Sequence, residues 1–194
     1  MGRWQPDIGH GLAASGYAFW AHKDASQWTP EETRIFLSDS PWAVRTTATY
    51  IPDARPVRGQ WSEQPPYPIN PGARSPYTGT VRWESARPVR EALKDSLPAS
   101  FASHYAVLVS GFPTSGDASE KYLAVLQIPR TPTSAPADLI EKRSGNPASF
   151  LFRFPEVAAI RSAHEVLFCA NLGKLVVLAR FQPSHMRYRG EVDL

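Results

Sequence analysis

Two points in the sequence set a hydroxyl beside an imidazole: Ser103-His104 and Ser184-His185. A serine hydrolase needs such a pair hydrogen-bonded, with an acid orienting the imidazole. Sequence neighbours point apart, and neither serine stands in a Gly-x-Ser-x-Gly elbow, so a Ser/His/acid site would have to be assembled from distant parts of the chain. His104 reads instead as a strand residue bonded to backbone, and His185 as an exposed turn residue. His164 and Cys169 lie five apart on one expected strand, an odd spacing that sends them to opposite faces. Glu31, Glu32 and Glu84 could supply paired carboxylates for acid–base work. Glu32, however, is placed to cap a helix and Glu31 to face solvent in its first turn. Trp83-Glu84-Ser85 stands at a strand-to-helix junction, where a helix N-terminus can meet a ligand, and a helix cap is the preferred role there. No His-x-x-x-His, cysteine pair or Asp-rich loop offers a metal site, and Gly9-His10-Gly11 lacks the spacing and the Lys of a phosphate loop. The sequence therefore nominates no catalytic residue, no metal ligand and no cofactor, and leans away from an enzyme.

Binding chemistry has more material. Trp61, Tyr67 and Tyr77 lie in a proline-rich stretch, 52–77, of a length that compact domains keep for functional or disordered loops. Aromatics along a polyproline-like segment are a peptide-recognition device; the competing reading is a loop pinned to the body by its rings. Arg180, Arg187 and Arg189 could hold phosphates while those rings stack bases. Glu191 and Asp193 share the arginines' face, though, and mixed charge on one face describes a solvated surface. The net charge of +3 and pI near 9.1 are mildly basic. The longest basic cluster is Arg87-Pro88-Val89-Arg90, which disfavours nucleic acid as a partner. A protein or peptide remains the expected partner class.

The elements that must position these residues are legible in part. Thr29-Pro30-Glu31-Glu32 opens a helix: Thr29 as N-cap, Pro30 at the first helical position, Glu32 reaching back to complete a capping box. That helix runs to about Leu37, and Asp39-Ser40-Pro41 stops it. Trp42 to Tyr50 alternates as a strand, and Thr80 to Glu84 is a short one. Ser85 is placed to cap a second helix carrying Val89, Ala92, Leu93 and Leu97, which Pro98 ends. His104 to Ser110 reads as a buried strand. Beyond Gly116 a third helix and a strand from Tyr122 to Ile128 fit nearly equally. Ala137 to Lys142 and Ser149 to Pro155 follow as strands. The last 32 residues read as a β-meander: Glu165 to Ala170, a tight Asn171-to-Lys174 turn, Leu175 to Phe181, then Met186 to Leu194 alternating with one wet face. Residues 1–18 are Gly-rich and read as a poorly ordered arm, with 19–194 as one domain. The one cysteine, Cys169, rules out an intrachain disulfide, and no apolar run reaches the roughly 18 residues of a membrane helix.

Phe19-Trp20, Trp28, Glu32, Leu37 and Asp39-Ser40-Pro41-Trp42-Ala43 form a pattern that resembles the opening of an uncharacterised family of small exported proteins of acidobacteria and related soil bacteria. Val81-Arg82-Trp83-Glu84-Ser85-Ala86 with Val89 to Leu93, and the terminal Met186 to Gly190, are similar to further pieces of that family's pattern. The likeness covers about half of residues 19–194, in order. It implies an exported protein with an α+β fold, and no reaction, cofactor or catalytic residue. Members carry a clear leader. Here Met1 to Gly9 is polar, although Gly16-Tyr17-Ala18 fits a small-x-small cleavage site. A periplasmic or secreted location is therefore expected, with a cytoplasmic one as the alternative.

These readings combine into an α+β domain: a mostly antiparallel sheet of six to eight strands, two or three short helices packed on it, and a C-terminal β-meander. The expected function is a non-enzymatic binding or interaction domain, with Trp61, Tyr67 and Tyr77 beside Trp28 and Trp42 as its surface. The alternatives are a structural subunit of an oligomer or larger assembly, and a hydrolase with a dispersed site.

Overall fold

Val, Phe, Leu and Ala dominate the runs that form the structure's strands, and alternate residues within them are buried. The structure, a computed structural model, describes residues 18–50, 74–113, 122–145 and 147–194, with backbone alone for Tyr50 and 74–76. Nine strands form one antiparallel sheet: β1 Ala43–Tyr50, β2 Arg74–Trp83, β3 His104–Ser110, β4 Tyr122–Gln127, β5 Ser134–Pro136, β6 Leu139–Arg143, β7 Ser149–Pro155, β8 Val166–Leu172 and β9 Leu175–Phe181. Their order is β5-β4-β8-β9-β1-β2-β3-β7-β6. The expected class stands, but the strand count is nine in this sheet rather than six to eight.

The sheet's two ends are consecutive pieces of one run. The Ala137 N–H donates to Ala124 O on the β4 side, and the next residue, Asp138, donates from its N–H to Arg153 O on the β7 side. One bent segment thus pairs with strands at both ends of the sheet and curls it onto itself. Period-two alternation fills the interior: Phe150, Phe152 and Phe154 of β7 point inward with Tyr105, Val107 and Val109 of β3 and Phe168 of β8. The Tyr122 and Phe150 rings meet across the curl at 4.6 Å, and those of Phe152 and Phe168 at 5.9 Å. β3 is apolar on both faces because Ala106 and Leu108 are covered from outside by Phe101 and Leu97.

Three short helices sit outside: α1 Pro30–Phe36, α2 Arg87–Leu93 and α3 Ala158–Ser162. α1 begins as its sequence dictates. Thr29 Oγ1 accepts from the Glu32 N–H at 3.1 Å and Glu32 Oε2 accepts from the Thr29 N–H at 2.9 Å. Phe36 then anchors the helix between Trp28 and Trp42, 4.5 and 5.3 Å between ring centres.

Several expectations are corrected. β2 begins at Arg74, so 74–77 belongs to a strand rather than to the loop. Pro76 is tolerated because the β1–β2 register shifts there, between Thr47 paired with Thr78 and Thr49 paired with Arg74, and a bulge needs no ladder N–H. α2 ends at Lys94, which takes a left-handed backbone (φ 53°), so Leu97 lies beyond it and Pro98 is not its terminator. Ser85 does not cap α2; its hydroxyl accepts the Ala106 N–H at 3.0 Å. The segment after 121 is strand β4, not helix, while 114–121 lies outside the described residues. The C-terminal meander fails at its last member. β8 and β9 form a hairpin, but 186–194 folds into a separate two-stranded sheet, β10 Arg187–Tyr188 and β11 Glu191–Val192. Arg189 and Gly190, at φ 52° and 85°, make the two-residue turn between them.

Candidate functional site

α2 places Arg87 and Arg90 three positions apart, hence on one face. That face looks onto a cleft of about 370 Å³, walled on the far side by the chain between α2 and β3 and closed by Glu156, Arg161 and the C-terminal residues. The wall is a tight segment. Left-handed residues turn it at both ends, Lys94 (φ 53°) and Ser103 (φ 57°), and the buried Phe101 pins its middle.

The tail holds the arginines in place. α2 has no side-chain cap from Ala86, its own N-cap residue. Asp193 substitutes from 106 positions away: Oδ1 accepts the Arg87 N–H at 2.7 Å and Oδ2 accepts Arg87 Nε at 2.9 Å. The Asp193 carbonyl in turn accepts Trp42 Nε1 at 2.7 Å. One residue earlier, the Val192 carbonyl accepts Arg161 Nη1 at 3.0 Å. Arg87 and Arg161 are therefore held by adjacent residues, Val192 at the end of β11 and Asp193 just past it. Among the described residues, neither Arg90 nor Arg161 has a carboxylate within ion-pair distance, whereas Arg87 is paired with Asp193. Arg161 also lies near Tyr105, whose hydroxyl is pushed above its ordinary pKa by burial while the guanidinium pulls it back.

The remaining polar groups are mostly donors. Ser96 and Ser103 line the cleft, as does His104. His104 Nδ1 lies 2.7 Å from the Ala102 carbonyl, so that nitrogen carries the hydrogen and donates. His104 Nε2 is 4.0 Å from Asp138. The Asp138 carboxyl is held below its ordinary range by the Arg153 hydrogen bond first, with His104 adding to it. Ser103 and His104 thus share a cleft without forming a couple, and among the described residues no serine hydroxyl hydrogen-bonds a histidine ring. Nor does any group of three His, Cys, Asp or Glu among them converge as a metal site would require.

The other nominated residues have structural partners. Trp42 is fully buried and Trp28 only 8% exposed, so these two rings serve the α1 anchorage and offer no face to a ligand. Tyr77 stands on β2, 46% exposed; Trp61 and Tyr67 lie outside the described residues. Glu84 is 4% exposed, with Arg82 Nε at 2.7 Å and Arg143 Nη1 at 4.0 Å on its carboxylate. Glu31 pairs with Arg34 and Glu32 with Lys23, and those hydrogen bonds hold both carboxyls low. Arg180 is bonded to Glu165 and Arg189 to Asp24, so these arginines lie in ion pairs at the surface, as the mixed charge of the tail led one to expect. Cys169 points away from the interior into a small apolar cluster with Val125 and Val176, and burial pushes its thiol up to about 11. Arg90 stood in the one basic cluster visible in the sequence. Arg161 and Asp193 carried no local signal, because only the folded tail brings them to α2.

No family model, curated protein or solved structure matches the chain.

Proposed function

We propose that the protein is a non-enzymatic binding domain working outside the cytoplasm, with the arginine-lined cleft between α2 and the start of β3 as its ligand-facing surface. The observation that carries this reading is the cleft's composition. It is concave, rimmed by hydrogen-bond donors and backed by Leu97 and Phe101, which is how small-ligand sites are built. The one serine–histidine neighbour pair inside it is not coupled. Export is supported by the resemblance of the Phe19–Ala43 and Val81–Leu93 pieces to an exported family. A single buried thiol is also compatible with an oxidising compartment.

A fragment screen read by ¹⁵N–¹H NMR on the full chain tests the cleft. Saturable shifts should cluster at 85–104 and 156–161; hits confined elsewhere refute it. Labelling by a serine-directed activity probe, with turnover, would refute the non-enzymatic part. Fractionation of cells expressing the natural gene should find the protein outside the cytoplasm.

A second reading, a subunit of an assembly, has its own observation. Leu123 is 44% exposed on the outer side of β4, beside the apolar cluster of Val125, Cys169 and Val176. Light scattering showing a monomer across the working concentration range would remove it.

A further inference from the structure

We infer that the ligand of this cleft is a small organic oxyanion, a carboxylate or phosphate ester on an apolar body, seated on Arg90 and Arg161. The inference rests on the binding-domain reading of the cleft and adds the ligand's chemical class.

Charge comes first. Of the side chains that line the space, three guanidiniums face two carboxylates, Asp193 and Glu156. Asp193 is consumed by Arg87, to which it gives both oxygens. What remains is Arg90 with no described partner and Arg161 with two neutral ones, the Val192 carbonyl and the Tyr105 hydroxyl, opposed by Glu156 at the rim. A guanidinium carries five N–H donors, so Arg161 keeps some of them for a ligand.

Organisation comes second. A guanidinium on a mobile surface side chain loses rotamer entropy when it binds. Arg161 is exposed but already restrained by the tail carbonyl that accepts one of its N–H groups, and preorganisation of this kind favours affinity. Planar N–H forks match the paired oxygens of carboxylates and phosphates, so the charge is suited to an oxyanion rather than to a halide. The hydroxyls of Ser96 and Ser103 have no described partner and can add bonds to the same oxygens. Leu97 and Phe101 supply the apolar wall for the ligand's body. A volume of about 370 Å³ fits a ligand at the small end of the usual range.

The test titrates the full chain with phenyl phosphate, benzoate and the neutral analogue benzamide at one fixed ionic strength, read by ¹⁵N–¹H NMR and calorimetry. Saturable binding of one or both anions is expected, with shifts at 85–104 and 156–161. Affinity should exceed that of benzamide by about tenfold or more, the value of one charge-assisted hydrogen bond, and should fall as salt is added. Whichever anion binds more tightly identifies the oxyanion. Arg90→Gln should lose about tenfold in affinity with unchanged thermal stability, since Arg90 holds nothing else. Arg161→Lys keeps the charge and loses the planar fork, and should weaken binding without abolishing it. If benzamide binds in the cleft as well as the anions do, the oxyanion inference fails while the binding-domain reading survives. If no probe shifts the cleft residues at millimolar concentration, both fail. Anion binding that Arg90→Gln leaves intact would also overturn the assignment.

Discussion

Replacing Tyr188 by Phe removes one oxygen from the junction of three segments. The ring is 1% exposed on β10. Its hydroxyl accepts the Ala25 N–H at 3.2 Å and donates to Glu91 Oε2 at 2.8 Å, so it ties the N-terminal turn and α2 to the tail. Loss of a hydrogen bond to a carboxylate costs about 1.5–3 kcal/mol, and a buried N–H left unpaired about 1–3 kcal/mol. The two do not add in full. The Glu91 side chain is 34% exposed and keeps Arg189 at 3.6 Å, so water and that arginine recover part of its loss. Ala25 is 8% exposed and recovers little. The expected cost is about 2–3 kcal/mol, read as a lower urea midpoint at unchanged m-value and a Tm lower by about 4–12 °C. Combining it with Glu91→Ala in a double-mutant cycle should give a coupling of about 1 kcal/mol, separating the Glu91 share from the Ala25 share. The pH dependence supplies a second readout. Burial first, and then the Glu91 hydrogen bond, raise the folded pKa of Tyr188 above its ordinary value of 10.0. The unfolded chain therefore loses this proton first, and the contribution is complete below that value and lost as pH rises through the folded one. Tyr188→Phe should flatten the alkaline decline accordingly. A variant within about 0.5 kcal/mol of the parent, with the same alkaline slope, would refute the reasoning.

Asp193→Ala should cost about 2–3 kcal/mol, two charge-assisted bonds partly replaced by water, with amide exchange accelerated first at Arg87 to Arg90. Gly79→Ala should destabilise by about 1–3 kcal/mol, because an added Cβ falls inside contact distance of the Ser110 carbonyl and the Phe112 ring; a neutral result in chemical unfolding would show that β2 and β3 can part there. Cys169 adds a further alkaline dependence. The unfolded thiol ionises near 9.0 and the folded one near 11, so stability is whole below pH 9 and falls between those values by up to about 3 kcal/mol. Cys169→Ala should remove that slope, measured by urea titration at pH 8 and pH 11.

The parts of the fold that could be read from sequence are those whose causes are local. The capping box at Thr29–Glu32 satisfies orphan N–H groups within four residues, and it is present with both of its bonds. Ser149 to Pro155 alternates Phe with other residues, and every inward Phe is in the core. The errors share an opposite cause. Pro76 is a local argument against a strand, overruled by a register shift that depends on β1. The alternation from Met186 to Leu194 is real, with Met186, Tyr188 and Leu194 all buried. It cannot distinguish one strand from two joined by a turn at Arg189-Gly190, since a two-residue turn preserves the parity of the sides. Closure of the sheet was invisible because Ala137-Asp138 bears no turn signal; the bend is imposed by partners on β4 and β7. The cleft was invisible for the same reason. Arg87 and Arg90 stand together in the sequence, but Arg161 joins them only in the fold, where residues 192 and 193 hold Arg161 and Arg87.

The tail therefore does two jobs with one set of contacts. Tyr188 and Trp42 bind it to the N-terminal turns and to the α1 aromatic cluster, while Val192 and Asp193 hold Arg161 and Arg87 on the opposite side. A structural role alone would be served by apolar packing, which Met186, Tyr188 and Leu194 already provide. Fixing two guanidiniums beside an open cleft adds ordering costs that packing does not require. Those costs have a physical counterpart if the guanidiniums meet an anion, because the ligand then finds donors whose entropy is already spent. It follows that an anion in the cleft and an intact tail should support each other: binding to the ordered tail stabilises it by mass action, and any change that frees residues 186–194 should weaken binding at Arg161 before it unfolds the sheet.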